Sequence, residues 1–311
     1  MKNTLFAIGE ALIDFIPNER NCGFSEVKSF SPKTGGAPAN VLGAFSKLGG
    51  KTQLITQLGD DPFGHKIAEE LAMFHIGLDN VVFTKAANTA LAFVSLDGEG
   101  NRTFSFYRNP SADMLYSADN LSESVFEDCF ALHFCSVSLG DFPMKGAHIK
   151  AIELAKKNGA IISFDPNIRL PLWSDTDLLK SAIDEFLPMA DIIKVSDEEI
   201  GFITGYPNIK DGCKQLLRTA KIVLCTCGAA GAYAYTDKSE IYVQSEKIPA
   251  KDTTGAGDAF IGSFLYSLHH SKKRLEEITE SELESFMKAS NNYCAKSVQK
   301  YGAIESYPTN I

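Results

Sequence analysis

Asp191-Ile192-Ile193-Lys194-Val195-Ser196-Asp197-Glu198-Glu199 passes from an apolar run of strand length straight into a polar helix start. Three further runs repeat the arrangement: Phe130 to Val137, Ala160-Ile161-Ile162-Ser163-Phe164 and Lys221-Ile222-Val223-Leu224-Cys225. Helical patterns around 146–158, 177–188, 197–205 and 211–219 alternate with them. Near-continuous apolar strands alternating with helices predict an α/β domain whose mostly parallel sheet is covered on both faces. The runs end in Asp165-Pro166-Asn167-Ile168-Arg169, in Ser196 to Glu199 and in Thr226-Cys227-Gly228. On a doubly wound sheet all these polar ends emerge at one edge, where such folds place their ligand. Ser196 with Glu199 also reads as a helix capping box, and Arg169 as a surface residue or as a fork for phosphate oxygens.

Downstream lies Asp252-Thr253-Thr254-Gly255-Ala256-Gly257-Asp258, running into the helix-like Ala259 to Tyr266. The first amides of a helix lack intrahelical partners and sit at the positive end of the macrodipole, so they attract phosphate. Gly255, Ala256 and Gly257 carry almost no side chain and let an anion approach the peptide plane. Asp258 in the first turn is favoured as a carboxylate, which suits a base accepting a proton from an attacking hydroxyl. The plainer alternative is that Asp252 or Thr254 caps a helix after a glycine loop.

Towards the N-terminus, Leu5-Phe6-Ala7-Ile8 reads as a first buried strand and Leu12-Ile13-Asp14-Phe15-Ile16 as its continuation. Asp14 is then either a turn acid or a group at a strand's C-terminal end, where ligands bind. Gly35-Gly36-Ala37-Pro38-Ala39-Asn40 opens a helix through Leu48, with Asn40 able both to donate to and to accept from hydroxyls. Asp60 and Asp61 read as capping acids ahead of Pro62. Ala90 to Leu96 and Thr103 to Tyr107 flank Asp97-Gly98-Glu99-Gly100-Asn101, a hairpin signal. With Val27 to Ser31 this hairpin predicts a small sheet standing off the main domain, closed by Arg108. Ala232 to Tyr235 and Ile241 to Val243 predict a further hairpin, and a last helix is expected from about Ser281 to Lys300, interrupted at Ser290-Asn291-Asn292.

The chain has 311 residues, 44% of them hydrophobic, enough for one large domain or one domain with a smaller companion. A net charge of -9 argues against a general nucleic-acid binder. No long apolar segment precedes Glu10 and no stretch approaches membrane-spanning length, so a cytoplasmic chain without membrane contact is expected. Seven scattered cysteines without a C-x-x-C pair read as reduced thiols, and His133, in an apolar run, as a core residue.

With both glycine motifs in view, the chain resembles the ribokinase-like (PfkB) sugar kinases, most closely the fructokinases. The two signatures are matched by Gly35 to Asn40 and by Asp252 to Asp258. Gly9 to Asp14, Phe106 to Leu115, Phe164 to Trp173 and Ile193 to Glu199 are similar to fructokinase segments in the same order. The resemblance implies a Rossmann-type three-layer domain with a small β lid, ATP and Mg²⁺ as co-substrates, and phosphoryl transfer to a sugar hydroxyl. By that resemblance Asp258 is the base and the Gly255 to Asp258 amides the anion hole. Asp14, Gly35, Gly36 and Asn40 match sugar contacts, and Arg108 and Arg169 positions by the sugar or its transferring phosphate. Ser196, Thr226, Gly228 and Asn291 match the nucleotide side. Glu199 matches a residue supporting the Mg²⁺ water shell, although Ser196 departs from the Asn common there in the wider family. Asp252, Gly302 and Ser306 match part of a K⁺ site.

The implied activity is conversion of D-fructose to fructose 6-phosphate. Its rivals are a 2-keto-3-deoxygluconate kinase, a ribokinase, a nucleoside kinase and a sugar-binding regulator without turnover. A nicotinamide enzyme is disfavoured, because Gly255-Ala256-Gly257 lacks the third glycine of that fingerprint and lies near the C-terminus. The expected division is a large domain of residues 1–14, 36–87 and 109–311 and a lid of 15–35 and 88–108, through which a homodimer forms, because a two-stranded sheet is not stable alone.

Overall fold

A computed structural model describes residues 2–19, 24–96 and 102–311. Among these residues a nine-stranded sheet carries the chain, flanked by a separate four-stranded one. The large sheet contains β1 (Thr4–Ile8), β4 (Lys51–Gly59), β5 (Gly77–Thr84), β8 (Cys129–Cys135), β9 (Ile161–Asp165), β10 (Ile192–Ser196), β11 (Ile222–Thr226), β12 (Gly231–Tyr235) and β13 (Glu240–Gln244). Its order is β13-β12-β11-β10-β9-β8-β1-β4-β5. Pairing is parallel from β5 across to β11, and β12 and β13 add an antiparallel hairpin. The order reverses at β1, with β4 on one side and β8 on the other, so the crevice opens at the C-terminal ends of these strands.

Eight α-helices among the described residues cover the two faces. On one side, α1 (Ala37–Lys47), α2 (Pro62–Met73), α7 (Ala256–Ser271) and α8 (Glu280–Ser297) bury Val41, Leu42, Phe45, Ile67, Phe264 and Tyr293. On the other, α3 (Pro143–Lys157), α4 (Thr176–Phe186), α5 (Asp197–Thr204) and α6 (Ile209–Leu216) bury Met144, Ile152, Ile183, Phe186 and Ile200. Asp61 caps α2 as expected, accepting from the Phe63 and Gly64 amides at 3.0 and 2.9 Å. His133 is buried in the core against Ser163, and burial pushes its pKa down to about 3, so it is neutral there.

The small sheet consists of β2 (Leu12–Pro17), β3 (Phe30–Gly35), β6 (Ala90–Leu96) and β7 (Arg102–Tyr107), ordered β3-β2-β6-β7. Two expectations need correction here. Leu12 to Ile16 is no continuation of β1, because the chain turns at Gly9, whose φ of 147° only glycine adopts readily, and β2 pairs with β3 and β6 instead. The strand expected at Val27 to Ser31 begins at Phe30. The expected turn Asp97 to Asn101, like Cys22, lies outside the described residues.

α8 also runs unbroken through Ser290-Asn291-Asn292. Ser290 donates to the Phe286 carbonyl at 2.9 Å and Asn291 to the Val243 carbonyl at 2.9 Å, so the polar side chains are satisfied without opening the helix. No described helix is long and apolar enough to cross a membrane.

Candidate active site

The start of α7 is the candidate anion hole. Gly255 caps it at φ 71°, and a Cβ there would fall 2.4 Å from the Tyr307 hydroxyl and 2.8 Å from Ala303 Cβ. The Tyr307 hydroxyl donates to the Gly255 carbonyl at 2.8 Å, so the C-terminal tail clamps the loop from behind. Asp252 holds it from the front, accepting from the Thr254 amide and hydroxyl at 2.9 and 2.6 Å and from the Gly302 amide at 2.9 Å. Within the loop the Ala256 amide donates to Thr253, which leaves the Gly257 and Asp258 amides as open first-turn donors.

Asp258 follows directly and is 8% exposed. Its Oδ2 accepts from Asn40 Nδ2, on α1, at 2.8 Å. Burial raises its pKa, and Asn40, Lys194 and Arg169 pull it partly back. Asn40 Oδ1 is buried with no partner among the described residues. An orphaned buried acceptor beside a carboxylate fits a ligand hydroxyl that donates to one and positions its oxygen by the other.

The small sheet joins this side through β3, which ends at Gly35 just before α1. Asp14 lies on β2 opposite β3, and a Cβ on Gly35 would fall 2.2 Å from its Oδ2. At Gly36, φ is 113° and a Cβ would meet the Glu10 carbonyl at 2.5 Å, so backbone conformation and close approach both require glycine there. Arg108 is buried and hydrogen-bonded to several groups. Its side chain is 5% exposed, its Nε and Nη2 donate to Asp113, and it also donates to the Val137 carbonyl at 3.0 Å and to Ser138 Oγ at 3.2 Å. Glu10, buried beneath, accepts from Ser138 and from the Ala37 amide.

On the other side, Arg169 is exposed and bonds its neighbour's carbonyl, yet it lies near enough to stabilise charge on Asp258. The capping box is present: Glu199 accepts from the Ser196 amide at 2.8 Å and Ser196 Oγ from the Glu199 amide at 3.3 Å. The other Glu199 oxygen accepts from the Ile168 amide at 2.7 Å, tying the loop that carries Arg169 to α5. Thr226, Gly228, Ala256, Gly257 and Asn291 all line one cleft of about 230 Å³ with a mostly apolar wall. A larger cavity of about 700 Å³ lies at the opposite edge of the sheet, around Lys2 and Asp191, and contains none of the motif residues. Of the possible K⁺ set, Asp252 and Gly302 are bonded to each other, while buried Ser306 donates to the Ala303 carbonyl at 2.7 Å.

The model of the pfkB family carbohydrate kinases matches residues 2–310. The chain belongs to this family. It is 41% identical to probable fructokinase-2 of Arabidopsis thaliana, over 99% of this chain and 94% of that protein. The structure is similar to that of fructokinase from Xylella fastidiosa with bound ATP, at TM-score 0.89 and 31% identity over 99% of this chain and 96% of that one. It is also similar to a double mutant of fructokinase from Vibrio cholerae in its fructose, ADP and potassium ion bound form, at TM-score 0.88 and 29% identity over 99% and 96% of the two chains.

Four further charged groups, none of them expected as a site residue, gather here: Lys194, Asp165, Glu10 and Asp113. Lys194 on β10 pairs with Asp165 at the end of β9 at 2.8 Å, both nearly fully buried. Glu10 and Asp113 hold Arg108 from two sides. A single charge inside an otherwise apolar strand was the available signal for Lys194, since a lysine is seldom fully buried unless paired.

Proposed function

We propose that this carbohydrate kinase transfers the terminal phosphoryl group of ATP to the primary hydroxyl of D-fructose, giving fructose 6-phosphate and ADP. The observation that carries it is Asp258: a buried carboxylate in the first turn of α7, beside open amides and bonded to Asn40. The names of its relatives support fructose as the acceptor, and the ligands of the similar structures support the pairing of sugar with adenine nucleotide.

The residues divide the work. Asn40, with its unpartnered Oδ1, and Asp14 hold the sugar hydroxyls. The 230 Å³ cleft lined by Thr226, Gly228 and Asn291 takes the base of the nucleotide, and the bonded Ser196 and Glu199 frame its phosphate end. Asp258 accepts the hydroxyl proton as the new oxygen–phosphorus bond forms and the bond to ADP breaks. The Gly257 and Asp258 amides and Arg169 face the charge on the transferring group. Glu199, whose two oxygens accept from the Ile168 and Ser196 amides, would support the water shell of a Mg²⁺ ion, which would supply further neutralisation of the phosphates when bound. The Asp252 loop with Gly302 and Ser306 would hold K⁺ and thereby set the loop before α7. The small sheet closes over the sugar and excludes water.

That sheet also carries the proposed homodimer contact. Phe15 stacks on Phe93 at 4.6 Å and Phe30 packs edge-on to both, with Phe24 46% and Tyr107 62% exposed beside them. An aromatic face of this kind is a self-association surface. Light scattering that finds a monomer at micromolar concentration would remove it.

The activity is tested by ADP release from Mg-ATP over a panel of fructose, 2-keto-3-deoxygluconate, ribose and adenosine. Turnover with fructose in preference to the rest supports the proposal. Turnover with another member reassigns the sugar and keeps the chemistry. Binding of fructose without ADP release from any acceptor would overturn the kinase in favour of a regulator.

A further inference from the structure

Lys194 stands apart from the other lysines of the chain. Its side chain is 7% exposed, and its ammonium lies 2.8 Å from Asp165 Oδ2. A Cβ built on Gly257 would fall 2.8 Å from the same nitrogen, so the ammonium sits directly against the second residue of α7. Three carboxylates act on it: Asp165, Glu199 and Asp258. All three belong to the polar edge where the site is built, and together they keep it protonated.

Packing does not account for this arrangement. A buried ion pair is often no more stabilising than a well-packed apolar pair of the same volume. An ammonium has three donors, and Asp165 is its one hydrogen-bonded partner among the described residues. A side chain at Gly257 would collide with this nitrogen, so glycine there leaves the ammonium room beside the first turn of α7.

We propose that Lys194 is a catalytic cation of this site: Asp165 holds its ammonium at the floor of the anion hole, and it donates to the phosphoryl oxygens gathered at the Gly257 and Asp258 amides. This rests on the phosphoryl-transfer function proposed above. No covalent step occurs at Lys194. It stabilises charge while the bond to ADP breaks and the bond to the sugar oxygen forms, and the proton goes to Asp258. Asp165 is a positioning residue, since it acts only through Lys194.

The test compares Lys194→Met, Asp165→Asn and the double variant Lys194→Met/Asp165→Asn, which removes both charges together. Each is measured for Tm, for kcat, and for affinity toward ATP and toward adenosine by calorimetry. Lys194→Met is expected to lower kcat on the order of 10²- to 10³-fold, as loss of a donor to a developing charge does elsewhere. It should weaken ATP far more than adenosine, and Asp165→Asn should reduce kcat by less. The double variant should recover the Tm of the wild type without recovering kcat. Recovery of both, or equal weakening of ATP and adenosine, would show a structural pair and overturn the proposal. Wild-type protein that turns over none of the sugars would instead remove the kinase function, and the ATP-against-adenosine comparison would still decide whether Lys194 meets a phosphate.

Discussion

Asn40 Nδ2 donates to Asp258 Oδ2 at 2.8 Å, joining the two glycine motifs across 218 residues of sequence. The helix that follows the first motif thus positions the carboxylate that opens the helix of the second. Both side chains are buried, which strengthens the bond.

Replacing Asn40 by Ala removes the donor to Asp258 and the orphaned Oδ1 together. A hydrogen bond to a charged group contributes roughly 1.5–3 kcal/mol, so kcat/KM for the sugar should fall by about 10- to 100-fold. Steady-state kinetics with fructose checks this, and wild-type kcat/KM in the variant would remove Asn40 from the site.

The same pair sets the pH response. Burial raises the Asp258 pKa above the ordinary aspartate value of 3.8, with Asn40, Lys194 and Arg169 opposing. A base must be ionised to accept a proton, so activity is present above this raised pKa and is lost as pH falls through it. In Asn40→Ala one opposing influence disappears, and the acid limb of kcat/KM should move to higher pH. A limb unmoved in the variant would mean that another group governs it.

Asp258→Asn keeps the shape and the Asn40 neighbour while removing the base. In a loose transition state positioning outweighs base strength, yet kcat should still fall on the order of 10² or more with Tm near that of the wild type. Equal kcat would sink the assignment of Asp258.

Much of this arrangement was legible in the sequence. The four apolar runs placed β8 to β11 and the polar edge of the sheet, and the two glycine motifs marked Asn40 and Asp258 individually. Their contact was not legible, because nothing local records a bond spanning most of the chain. β2 was misread because its apolar residues looked continuous with β1, whereas the informative residue was Gly9, a turn between two sheets. Lys194 was hidden by its own context: among Ile192, Ile193 and Val195 it read as an incidental charge, although a lysine in a buried strand needs a partner, and Asp165 two segments earlier supplies it.

Arg108 gives the last prediction, because sequence and structure point to different consequences. As a direct sugar contact it would be replaceable by Lys with a change in KM alone. The structure surrounds it instead with Asp113, the Val137 carbonyl and Ser138, and stacks its guanidinium 5.7 Å from the Phe142 ring. Asp113 is 1% exposed, so removing its carboxylate takes away the direct ion-pair partner of a buried guanidinium and leaves Glu10 to act on it without a hydrogen bond among the described residues. Breaking a buried pair in this way costs about 3–5 kcal/mol. Asp113→Ala should therefore lower stability to urea by that amount. Arg108→Lys should also lose stability, because an ammonium cannot reproduce the planar fork that reaches three acceptors. Denaturant melts of both variants decide the matter: unchanged midpoints with a raised KM for sugar would support Arg108 as a substrate contact, whereas lowered midpoints make it the clamp that fixes the end of β7 to the segment following β8.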